Sequence, residues 1–203
     1  MNRLVAILVF PEIEILDFAG PFEVFGAADE MTGGGRLRVI TVAESRDPVT
    51  TRHGLRIMPD HMLEDCPAAE VLVIPGGFGT RRLETSPTVL TWIRDRSRDA
   101  EITMSVCTGS ILLARAGLLD GLRATTHHTA FDRLRAAGST VKVEEAARFT
   151  DNGRILTAAG IAAGIDCALH VVGRLLGPAT AAATARYLEH APAGAVKREE
   201  RGP

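Results

Sequence analysis

Three cysteines occur in the chain, Cys66, Cys107 and Cys167, and one of them sits where a nucleophile would be built. In ITMSVCTGSILLARA, residues 102 to 116, a β-type apolar run breaks at Cys107 and a helical pattern starts immediately after it. A strand that turns sharply into a helix aims the side chain at the turn outward. Gly109 and Ser110 are small enough to allow such a bend and the close approach of a ligand. A cysteine at a helix N-terminus meets unpaired N–H groups and the positive end of the helix dipole, which favour the thiolate. The competing account is a small core cysteine that ends a strand.

Three other segments carry groups that could serve that thiol. Asp17 lies in the apolar stretch ILDFAGP after the first strand-like run, where desolvation would raise its pKa and fit it to exchange a proton. It could equally be the N-cap of a helix beginning near Pro21. Glu12 and Glu14 alternate with Ile13 and Ile15 and are weaker candidates. In IPGGFG, Gly76 and Gly77 end another strand with backbone N–H groups suited to an oxyanion. Thr125-Thr126-His127-His128 ends a further strand; adjacent residues face opposite sides, so at most one imidazole, with His127 the candidate, reaches the site. The His and Cys spacings do not match structural zinc sites, and no metal is expected.

The elements needed to bring these segments together are legible as alternating runs. Strand patterns at Leu4 to Val9, Leu37 to Ala43, Val71 to Ile74, Ile102 to Ser105 and Ala124 to Thr126 alternate with helical patterns. The helices are expected at Phe22 to Met31, Pro87 to Arg98, after Cys107, Ala130 to Ala137, Ala162 to Leu176 and Ala179 to His190. That alternation predicts an α/β fold with a mostly parallel sheet, helices on both faces and chemistry at the carboxyl ends of the strands. Asp151-Asn152-Gly153 predicts one antiparallel hairpin. Gly33-Gly34-Gly35 reads as a loop and not a phosphate cradle, because no strand directly precedes it.

Length and composition set further bounds. With 203 residues, 46% hydrophobic and 24% charged, one domain spanning residues 1–191 is expected, followed by a disordered tail at 192–203. A net charge of -2 and scattered arginines provide no field for nucleic acid. An odd number of cysteines without a Cys-x-x-Cys pair points to a reducing, cytoplasmic setting. Leu4 to Phe10 is too short and wrongly flanked for a signal peptide, and Ala158 to Leu176 is interrupted by Asp166, His170 and Arg174, so no membrane association is expected. The apolar residues Phe18, Phe22, Val24 and Phe25 suggest a homodimer face, although a core stripe would explain them as well.

The segments LVAILVFPEIEILDFAGPFEVF, VLVIPGGFGT, SVCTGSILLARAGLLDGLRATTH and ILTAAGIAAGID together resemble the ThiJ/PfpI superfamily over nearly the whole chain. Leu-Asp-x-x-Gly-Pro with Ser-Val-Cys-Thr-Gly is similar to its isonitrile hydratase branch and to the amidotransferase-like domain of AraC-type regulators. The resemblance implies a flavodoxin-like sandwich, usually a homodimer. It also implies a small-molecule substrate, Cys107 as nucleophile, Asp17 as acid/base and Thr108 as a hydrogen-bonding neighbour. Gly77, Gly76 and the Gly160-Ile161 backbone would line the pocket. The activity implied is cysteine-dependent hydration of an isonitrile to an N-substituted formamide, a lyase reaction needing no cofactor; the alternative is a small-molecule or redox sensor. Thr108 stands where the protease-like branch has His, and Ala19 where the hydratase pattern has a hydroxyl residue. The regulators carry a DNA-binding module downstream, so a stand-alone transcription factor is not expected.

Overall fold

The computed structural model describes residues 2–191, so the expected tail at 192–203 lies outside the described residues. Seven strands form the central sheet in the spatial order Phe149–Asp151, Ile155–Ala158, Ile102–Val106, Val71–Ile74, Arg3–Leu8, Leu37–Ala43 and His61–Met62. All neighbours pair in parallel except the first two, which form the hairpin expected around Asn152-Gly153. Every residue of Val71–Ile74 and Ile102–Val106 is buried, as parallel strands covered on both faces must be. The helices that cover them sort into two packed groups. One contains Ile15–Met31, Ala163–Leu176 and Pro178–Tyr187; the other contains Thr80–Leu83, Pro87–Asp99, Gly109–Arg115 and Phe131–Ala137. Among the described residues no helix is long and apolar enough to cross a membrane.

The strand order reverses between Arg3–Leu8 and Val71–Ile74. From the first of these the chain runs outward to Leu37–Ala43, then returns to the opposite side. The loops leaving the two strands at their carboxyl ends are therefore driven together, the usual position of a ligand crevice in such sheets. Here they are stitched by backbone bonds from Glu14 N–H to Gly76 O at 3.0 Å and from Gly79 N–H to Glu12 O at 3.2 Å, with a bridge between Ile13 and Gly77.

Three expectations change. The first helix begins at Ile15 and not at Phe22, so Asp17 belongs to its first turn rather than to a loop. Pro21 had suggested a helix start, yet it lies inside the helix, where its missing N–H removes the bond to the Asp17 carbonyl four residues back. Phe18, Val24 and Phe25 belong to the core, and of the four proposed interface residues only Phe22 is exposed. The strand expected at Ala124 to Thr126 shrinks to Arg123–Ala124 and pairs with Lys142–Val143 outside the central sheet. The threonines beyond it are used locally: Thr125 N–H donates to Thr157 Oγ1 at 2.8 Å, and Thr126 hydroxyl donates to Cys107 O at 2.9 Å.

Gly109 shows how closely the strand-to-helix turn is wedged against the sheet. A Cβ at this position would lie 1.9 Å from Ile74 O and 2.8 Å from Pro75 O, both backbone atoms that cannot step aside. Alanine would favour the helix by about 1 kcal/mol. The collision outweighs that gain, and Gly109→Ala is expected to destabilise the fold by about 3 kcal/mol, read as a lower urea midpoint. An unchanged midpoint would show that the turn has slack.

Candidate active site

Cys107 occupies the junction predicted for it, between Ile102–Val106 and the helix Gly109–Arg115, with φ of 55°. This left-handed conformation is strained for a residue with a side chain, at a cost of about 1–3 kcal/mol, and has to be held by its surroundings. Cys107 N–H donates to Ala158 O at 3.2 Å on the neighbouring strand. Its carbonyl accepts from the hydroxyls of Ser110 at 3.1 Å and Thr126 at 2.9 Å. Thr126, which the sequence marks only as a neighbour of the histidines, anchors the elbow.

Asp17 reaches the elbow from the first turn of its helix and is fully buried. Gly76 N–H donates to its Oδ2 at 3.0 Å, while its Oδ1 is buried without a partner in hydrogen-bond geometry. Burial raises the Asp17 pKa to about 7; the Gly76 N–H opposes that rise, Glu14 adds to it, and the Cys107 thiol and Ile161 N–H oppose it more weakly. The expected upward shift is therefore present, and its main cause is desolvation. The N-cap alternative fails, because the N-cap position is Glu14.

Cys107 departs from expectation. A helix N-terminus predicts a lowered thiol pKa, yet burial first and the Asp17 charge second push it up to about 12, outweighing the hydrogen bonds from Thr108 that favour the thiolate. The resting thiol is protonated, and the Asp17 carboxyl lies beside it.

The glycine loop is also used differently from the free donor array expected of it. Gly76 N–H is engaged by Asp17, and Gly77 N–H donates to Thr108 Oγ1 at 3.0 Å. Thr80, which the sequence did not single out, donates to Thr108 Oγ1 at 3.2 Å and to Gly77 O at 2.9 Å. A Cβ at Gly76 would lie 2.5 Å from Thr108 N and 2.9 Å from Asp17 Oδ2, so only glycine lets the loop, the acid and the elbow meet.

A cavity of about 320 Å³ opens over Cys107 and Thr108, with Gly77, Ile161 and His127 in its wall. The two histidines do not lie on opposite faces of a strand. His127 caps a short helical turn at His128–Ala130, and the two rings lie 4.2 Å apart. His127 is seated against Gly160, where a Cβ would be 2.6 Å from its ring, and its Nδ1 is 2.8 Å from Thr129 Oγ1. Burial and then His128 lower its pKa, favouring the neutral ring. Gly160 thus supports the wall, and Ile161, itself at φ of 48°, lines the cavity. Four charged wall residues were missed, or only weakly marked, in the sequence: Arg52, Arg81, Arg133 and Glu14. Their signal was weak, since arginines in exposed helices and loops ordinarily face solvent.

Residues 3–174 match the DJ-1/PfpI family. The isonitrile hydratase of Pseudomonas putida is 37% identical over 193 residues, covering 95% of this chain and 81% of that protein. The HTH-type transcriptional regulator GbdR of Pseudomonas aeruginosa is 30% identical over 84% of this chain, which spans only 46% of the regulator. Among solved structures, a ThiJ/PfpI family protein from Pseudomonas syringae superposes with a TM-score of 0.85 at 34% identity, covering 95% of this chain and 76% of that one.

The raised Asp17 pKa has a consequence for stability. Between the unfolded value of 3.8 and about 7, the folded state binds a proton that the unfolded chain has lost, so stability falls as pH rises through this window. Asp17→Asn removes the effect while leaving an acceptor for Gly76 N–H. The variant is expected to match wild type near pH 4 and to exceed it at pH 8 by roughly 2–4 kcal/mol in urea unfolding. Parallel stability curves across that range would show that burial does not govern this carboxyl.

Proposed function

From the premise that the chain belongs to the DJ-1/PfpI family, we propose that it catalyses cysteine-dependent hydration of a small isonitrile to an N-substituted formamide. The observation that carries this reading is the buried pair itself, a protonated thiol at a strained elbow beside a carboxylate with a pKa of about 7. The similarity to isonitrile hydratase over most of both chains supports it.

The residues divide the reaction as follows. Asp17 carboxylate takes the Cys107 proton as sulfur adds to the terminal isonitrile carbon. The protonated Asp17 then delivers that proton to the same carbon, giving a thioimidate, R–N=CH–S–Cys107. Asp17 next accepts a proton from the water that attacks this carbon and passes it to the imine nitrogen. The tetrahedral adduct, R–NH–CH(OH)–S–Cys107, collapses to the formamide, R–NH–CHO, as the C–S bond breaks and the hydroxyl proton returns to Cys107 sulfur. Every electron stays paired and water is the only co-reactant, so the scheme calls on no metal or organic cofactor. Thr108, fixed by Gly77 and Thr80, orients the elbow and the atoms bound over it. His127 closes the wall as a neutral ring.

A purified preparation is expected to turn over an alkyl isonitrile, followed by the formamide proton in NMR. Cys107→Ala is expected to reduce the rate to background, and Asp17→Asn by roughly 10²–10⁴-fold with the fold intact. Because Asp17 must begin as the base, kcat/KM should rise with pH and level off above about 7. A stoichiometric Cys107 adduct without repeated turnover would favour the sensing alternative, which the likeness to the regulator GbdR supports.

For association we propose a homodimer that uses the exposed apolar side chains of the first helix, Leu16 and Phe22. Sedimentation at micromolar protein should give twice the chain mass, and Phe22→Glu should halve it. A monomeric wild type refutes this.

A further inference from the structure

The wall of the reactive cavity carries more positive charge than an apolar isonitrile requires. Arg52, Arg81 and Arg133 all line it, against the single carboxylate of Glu14. This is not a general surplus, since the chain as a whole has a net charge of -2. Two of the three guanidinium groups are already answered. Arg52 lies 3.8 Å from Glu14, and Arg133 donates to Glu84, outside the cavity wall, at 3.1 Å. Arg81 has no carboxylate within ion-pair distance among the described residues. It lies 4.3 Å over the Phe78 ring, and Phe78 also lines the cavity.

Stacking on an aromatic face holds the guanidinium plane while leaving its N–H edge for a planar anion, the geometry in which arginine grips a carboxylate through two parallel hydrogen bonds. The cavity volume of about 320 Å³ limits the anion to a small organic acid. We propose that the substrate carries a carboxylate and that Arg81, stacked on Phe78, is the residue that binds it. The inference rests on the cavity over Cys107 being the substrate site, and it narrows the substrate class to small carboxylate-bearing isonitriles.

Two alkylating reagents that differ in charge and little else test the assignment without reference to turnover. Iodoacetate and iodoacetamide both transfer a carbon to sulfur and release iodide, so the ratio of their rates at Cys107 reports how the cavity treats a carboxylate. Site-resolved mass spectrometry at pH 8 should give a ratio about tenfold above that of free glutathione. The ratio should fall with added salt. Arg81→Gln should lower it about fivefold, and Arg81→Lys should restore only part of the preference, because an ammonium keeps the charge but not the paired hydrogen bonds. A wild-type ratio no higher than that of glutathione, or one that Arg81→Gln leaves unchanged, overturns the proposal. Should Cys107 resist both reagents, calorimetric titration with butanoate and butanamide decides it: preferential binding of the anion, lost in Arg81→Gln, supports the assignment, and equal or absent binding refutes it. Isonitrile hydration is measured separately, so an anion preference without turnover would sink the hydratase reading alone, and turnover without anion preference would sink this one alone.

Discussion

Everything at the site depends on how closely three backbone segments approach one another at the switch point of the sheet. The first helix delivers Asp17, the fourth strand in spatial order ends in the glycine loop, and its neighbour ends in the elbow. Gly76 is where they meet: its N–H holds Asp17, and the next N–H holds Thr108. A side chain at Gly76 would strike both the acid and the elbow backbone. The strained φ of Cys107 persists because hydrogen bonds from Ser110 and Thr126 and the strand pairing through Ala158 fix it from several directions. The acid, the elbow and the glycine loop are therefore one mechanical unit.

This geometry accounts for an electrostatic balance that neither partner would show alone. Excluding water raises the pKa of the acid and the thiol together, and their proximity penalises the doubly ionised state further. Above about pH 7 the pair holds one proton, on sulfur, with the negative charge on Asp17. In the proposed reaction the proton then has a short path from sulfur to the carboxylate once sulfur adds to the substrate. A preformed thiolate would be more reactive toward any electrophile or oxidant entering the cavity.

Much of the fold was legible because the strands follow simple rules. Leu37–Ala43 and Val71–Ile74 have the bounds that their apolar runs predict, and the elbow is visible in the change of period at Cys107. The first helix was misjudged for a definite reason. Proline is so common at helix starts that Pro21 drew the boundary past Asp17, whereas tertiary packing keeps the turn before it helical. The direction of the Cys107 shift was misjudged because a helix N-terminus is readable in sequence and the depth of burial is not. The histidine pair lies elsewhere than expected because the chain leaves the strand after Ala124, where Thr125 N–H bonds Thr157 and the Thr126 hydroxyl bonds the elbow. Arg52 was invisible as a site residue for a topological reason, since its loop reaches the cavity through a contact distant in sequence, the bond from Arg52 N–H to Ile13 O at 3.0 Å. Arg81 directly follows the glycine loop, but a helical arginine ordinarily faces solvent.

The origins of the two sets of residues also differ. Cys107 and the loop that begins at Pro75 follow directly from strand ends, and Asp17 sits on the helix after the first strand. Arg52 comes from a peripheral hairpin, Arg81 from the short helix Thr80–Leu83 and Arg133 from Phe131–Ala137, none of them in the central sheet. The side chains of Arg52, Arg81 and Arg133 take no part in the hydrogen bonds that hold Asp17 and Thr108 in place, so the charged wall and the elbow can change independently. On the proposed reading the sheet sets the chemistry at the elbow, while the peripheral segments select the small molecule held over it.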